Sequence, residues 1–139
     1  MTKTNTLPDK PSELINVALA DLAKVEQSKK YEVDMDTWHD PSAGICYVCL
    51  AGAVMAKSLQ ASPDKSLLPS MHNGGLSGKL SALDEFRTGD VSWGFSDMGI
   101  DVEEDVLNFD RDINDYEDDP KAFKRDMRKL SKDLAKAGF

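Results

Sequence analysis

Cysteine is scarce in this chain, with only Cys46 and Cys49 among 139 residues. Two thiols three positions apart cannot build the disulfide framework of a small secreted scaffold. Histidine is equally rare, at His39 and His72, which narrows both acid–base and metal chemistry. Aromatic residues make up 7% of the chain, and none interleave with bases as in nucleic-acid binders. No apolar run approaches the ~18 residues that a membrane helix needs. The stretch from Met1 to Pro11 is polar and lacks the apolar core of a signal peptide. Phosphate loops, dinucleotide fingerprints, zinc-protease pairs and serine-hydrolase elbows are all missing. The sequence therefore predicts a cytoplasmic chain with reduced thiols, no membrane contact, no direct nucleic-acid binding and no cofactor.

What is present suits one modest core. Apolar residues are 40% and charged residues 30%, in a length typical of one domain. Residues 1–8 read as a flexible arm and residues 9–139 as a single helical domain. Leu14, Ile15, Ala18, Leu22 and Val25 recur at helical spacing, predicting a helix from about Asp9 to Lys29. Tyr31, Val33 and Met35 alternate with Glu32, Asp34 and Asp36, the two-residue period of a short strand. Pro41 and Gly44 then mark an irregular loop.

Ile45 to Leu59 is the most apolar segment and reads as a buried central helix. The alternative is that Ile45–Leu50 pairs with Tyr31–Met35 as a hairpin, since Cys, Tyr and Val suit strands. Ser62 to Gly75 is rich in Pro, Asn and Gly and reads as the longest loop. Ser77 is placed as the cap of a helix bearing Leu80, Leu83 and Phe86 and ending at Gly89. Asp90 caps a second, with Val91, Phe95 and Met98, closed by Gly99. Asp101 with Glu104 resembles a capping box ahead of Val102, Val106, Phe109 and Ile113. Asp119-Pro120 opens the last helix, whose stripe is Phe123, Met127, Leu130, Leu134 and Ala137. The expected fold is mainly α, with one short strand or hairpin and α+β as the alternative. The last stripe is assigned to the chain's own core, predicting a monomer, with contact to a second copy as the other destination.

Charge is unevenly laid out. The formal net charge is −8, and Asp101–Asp119 alone holds ten acids against Arg111. The following residues, 120–139, hold seven bases against Asp126 and Asp133. Such acid density costs self-repulsion and repels nucleic acid. Asp110, Asp112, Asp115, Glu117 and Asp118 are therefore candidate partner-binding residues facing a basic protein surface.

Three chemical readings of the sequence are open. Cys46, Cys49, His39 and His72 could supply four zinc ligands, but the thiols sit in an apolar run without a second paired motif. Asp110, Asp112 and Asn114 match the start of a calcium loop, which then fails at Asp115 and Lys121. No resident metal is predicted. Gly44-Ile45-Cys46 ahead of an Ala-rich helix resembles transglutaminase-like and papain-like hydrolases, in which a helix N-terminus activates the thiol. Here His72 is the only downstream histidine, and it lies in a loop.

Longer pieces carry a second likeness: Trp38-His39-Asp40-Pro41, Gly44 through Ala56, Phe86 through Val91, and Asp119 through Phe123. With these, the chain resembles uncharacterised small acidic proteins encoded by tailed bacteriophages and prophages. The resemblance implies a setting, the cytoplasm of an infected bacterium, and carries no activity with it. The favoured expectation is an accessory binding protein without chemistry, acting on a host protein complex as an acidic inhibitor or nucleic-acid mimic. The alternative is a small cysteine hydrolase or transferase using Cys46 with a histidine.

Overall fold

A computed structural model describes residues 7–35, 39–42, 45–58, 76–101 and 112–139. Helix α1 spans Pro11–Glu26, and three strands follow: β1 (Tyr31–Val33), β2 (His39–Ser42) and β3 (Ile45–Val48). Helices α2 (Leu50–Lys57), α3 (Leu76–Thr88), α4 (Val91–Asp97) and α5 (Pro120–Lys136) complete the described elements. The domain is mainly α, as expected.

Helix α1 buries Leu14, Ile15, Ala18, Leu19, Leu22 and Val25, the stripe read from spacing plus one neighbour. No side chain caps its start. Pro11 needs no N–H partner there, and both the backbone N–H and hydroxyl of Ser12 donate to the Phe139 carbonyl, at 3.3 and 3.2 Å. Helix α5 starts as its sequence predicts, with Asp119 Oδ1 accepting the Ala122 N–H at 3.1 Å. A cap of this kind is worth about 1 kcal/mol. Phe123, Met127, Leu130 and Leu134 are buried; Ala137 is exposed at the helix end. Gly89 and Gly138 adopt φ of 95° and 96°, which lets the chain leave α3 and α5 through the left-handed region.

Helices α1 and α5 are antiparallel neighbours. Glu26 at the end of α1 accepts from Lys124 near the start of α5. At the opposite end, the buried Ser131 hydroxyl lies 2.9 Å from both the Ser12 carbonyl and Asn16 Oδ1, sharing its proton between them. Buried Asp21 ties α1 to α2 by accepting from Ser58, with Lys24 Nζ 3.8 Å away.

Four expectations are corrected. Ile45–Val48 is a strand, and the helix begins only at Leu50 after an extended Cys49. β-Branched and aromatic types favour this ladder, where β3 is bonded on both sides. The hairpin partner of β3 is β2, through antiparallel pairs from Ser42↔Ile45 to His39↔Val48. β1 joins the other edge in parallel, with Tyr31↔Cys46 and Val33↔Val48. Pro41, read as a turn, is accommodated because β2 is an edge strand. Ser77 lies inside the first turn of α3 rather than at its cap.

Residues 1–6 of the expected arm lie outside the described residues, but Leu7 is buried in the core. Its carbonyl accepts from Lys79 Nζ at 2.8 Å, and the same ammonium bonds Asp9 Oδ1 at 2.8 Å. That contact holds the Asp9 carboxyl below its usual range. The expected 62–75 loop and most of the 102–113 helix also fall outside the described residues. Ile113 is within them, buried in irregular chain. No helix among the described residues is long and apolar enough to cross a membrane.

Candidate functional site

The acidic segment reaches the surface on a fixed support. Asn114 donates its backbone N–H and its Nδ2 to Asp126 Oδ2 of α5, at 2.9 and 2.8 Å. The Tyr116 hydroxyl donates to Glu26 of α1. The Tyr116 ring meets Phe123 edge-on at 5.7 Å. Burial, reinforced by the bond to Glu26, raises the Tyr116 pKa well above its usual value, so this proton stays in place. Ile113 plugs into the core beside them. The segment is thus fastened to two helices, while Asp112, Asp115, Glu117 and Asp118 are exposed. Asp110 lies outside the described residues.

None of these four carboxylates is ion-paired to another described residue. The bases of α5 follow immediately in sequence, which suggests mutual neutralisation. Three of them engage other acids, two of which, Glu26 and Asp126, also anchor the segment. Lys124 pairs with Glu26, Arg125 lies 3.8 Å from Asp126, and Lys129 lies 3.4 Å from Asp133. Lys124 and Arg125 thus lie beside the anchors of the acidic segment without pairing with its four exposed carboxylates.

A second feature is a groove of about 440 Å³ between α1 and α5. Its walls include Leu19, Ala20, Ala23 and Ala135, with Ser131 between the helices. Arg128, Lys132 and Asn16 complete the lining, and all three are exposed. Sequence reading missed this groove because its alanines are small residues on otherwise polar helix faces. The i, i+3 spacing of Ala20 and Ala23 was the available signal, but it acquires meaning only once α5 is known to lie alongside. A third feature is Trp93 on α4, the large apolar side chain most open to solvent among the described residues at 66% exposure.

The helix N-terminus expected to activate Cys46 is not where the fold places it. Cys46 lies within β3, not at a helix N-terminus. β2 and β3 bring His39 and Cys46 onto adjacent strands, with His39 opposite Val48 and Pro41 opposite Cys46. His72 is outside the described residues. Cys49 is the residue at the start of α2, and it is fully buried. Burial pushes its thiol up to about 11, outweighing the Gly52 and Ala51 amides that favour the thiolate. At neutral pH its thiolate fraction should be about a hundredfold below that of an ordinary thiol with the same reference value. In a Cys46→Ser background, Cys49 should therefore resist iodoacetamide until the chain is denatured. Rapid alkylation of the native protein would overturn this assignment. Among the described residues, no group of three or more His, Cys, Asp or Glu could hold a metal ion. No family model matches the chain, and comparisons with curated proteins and with solved structures find no match.

Proposed function

We propose that the protein works by contact alone, presenting Asp112, Asp115, Glu117 and Asp118 to a basic surface of a protein partner. The observation that carries this reading is their presentation: four exposed carboxylates, none ion-paired to another described residue, on a segment pinned to α1 and α5. A fixed segment loses little conformational entropy on docking, so its charge is available for association. The phage-like sequence supplies a setting, in which the partner is a host protein in the infected cell. An inhibitor that occupies a nucleic-acid groove as a mimic is the form of this reading with the densest charge match.

The test is capture from bacterial lysate with the wild-type chain and with a quadruple Asp/Glu→Lys variant at these positions. A basic protein should be retained by the wild type and released as salt rises, because the Debye length shrinks below about 8 Å. The variant should associate at least about tenfold more slowly, since steering charges act chiefly on the on-rate. Retention unchanged by both salt and charge reversal would remove the acidic segment from the mechanism.

A further inference from the structure

Helix α4 carries a knob whose chemistry fits the α1–α5 groove. Trp93 projects from α4 with 66% of its surface exposed. Asp97 stands four residues after it on the same helix face, and Asp90, the N-cap residue, stands three before it with its Oδ2 accepting from the Thr88 hydroxyl at 3.2 Å. Both carboxylates are exposed. The groove offers the converse: small apolar walls at Ala20, Ala23 and Ala135, with Arg128 and Lys132 at its edge. Its volume of about 440 Å³ admits an indole. Neither Arg128 nor Lys132 is ion-paired to a described residue.

We propose that the occupant of this groove is Trp93 of a second copy of the chain. The indole would lie among the alanines, and Asp90 and Asp97 would face Arg128 and Lys132. An aromatic anchor in a pocket with an arginine beside it is the arrangement that most often dominates an interface, and the guanidinium can also lie over the ring. Knob and groove are different patches of one chain, so the contact is heterologous unless a two-fold axis makes the exchange mutual. It uses none of the carboxylates of the 112–118 segment, and either proposal can fail without the other. It differs from the monomer expected from the sequence while keeping the α5 stripe internal, since association would use other residues.

Sedimentation velocity of the full chain, from low to high micromolar concentration, tests this. The mean mass should rise above the 15.3 kDa of one chain. Trp93→Ala should weaken association about thirtyfold, equivalent to about 2 kcal/mol. An Arg128→Glu, Lys132→Glu double variant should do likewise, with circular dichroism checking that both retain their helices. Mixed in equal amounts, the two variants should regain a dimer, since one keeps the groove and the other the indole. A wild-type chain that stays monomeric throughout would overturn the proposal, including the case where a different protein fills the groove. So would association indifferent to both variants, or a mixture that forms no dimer.

Discussion

Gly94→Ala is expected to destabilise the fold by about 2 kcal/mol, against the usual benefit of removing a glycine from a helix. That benefit is about 1 kcal/mol at an unconstrained interior position. Here a Cβ would sit 2.3, 2.7 and 2.9 Å from three carbons of the Phe86 ring. Phe86 is fully buried and meets Phe95 edge-on at 6.1 Å, so the ring has nowhere to withdraw. Overpacking costs about 1–3 kcal/mol, and three contacts under 3 Å to a buried ring place this site at the upper end, from which the helix gain subtracts about 1 kcal/mol. The same interface is tight at Gly78 in α3, where a Cβ would stand 2.2 Å from the Asp97 carbonyl oxygen. Urea unfolding of Gly94→Ala should show a lower midpoint with unchanged slope. Trimming the ring by Phe86→Leu should cost less in the Gly94→Ala background than in the wild type. Equal costs in the two backgrounds would place the strain elsewhere.

Leu130→Glu should unfold the protein or come close to it. Leu130 is fully buried where α5 packs on α1, between Met127 and Leu134 of the stripe. The substitution removes an apolar side chain and leaves a carboxylate without water. The combined cost exceeds about 4 kcal/mol, a large fraction of the 5–15 kcal/mol that holds a typical domain together. Lys129→Gln, on the exposed side of the same helix and outside the groove, should stay within about 0.5 kcal/mol of the wild type. Far-UV circular dichroism with thermal melts separates the two. A Leu130→Glu chain that keeps its helices and melting temperature would move the stripe from the interior to an interface.

Helices α1 and α5 were legible from residues because their signals are local and strong. Asp119-Pro120 fixes a start, the 4, 3, 4 spacing of Phe123 to Leu134 fixes a face, and Gly138 fixes an end. The sheet was less so. Ile45–Val48 is too short for periodicity to distinguish a strand from the first turn of a buried helix. Its parallel pairing with Tyr31–Val33 depends on a partner that no neighbouring residue announces. His39–Ser42 was hidden by Pro41, whose turn preference yields to an edge position. Leu7 is a lone apolar residue in a polar arm, and only the distant Lys79 reveals its anchorage. Of the candidate site, composition located the acidic segment. It did not reveal the fastening through Asn114 and Tyr116, because Asp126 and Glu26 look like ordinary surface acids in the sequence.

Under the proposed function, that fastening couples recognition to stability. Asn114 is held by α5 and Tyr116 by α1, so the presented geometry of the acidic segment exists only while both helices are docked. A partner that grips the segment binds the folded chain and not the unfolded one. Mass action then adds RT ln(1 + [L]/Kd) to the stability of the helix pair, about 2.7 kcal/mol at a hundredfold excess over Kd. The same linkage runs in reverse: any lesion that loosens α5 from α1 lowers the fraction of molecules able to bind, even when every carboxylate is intact.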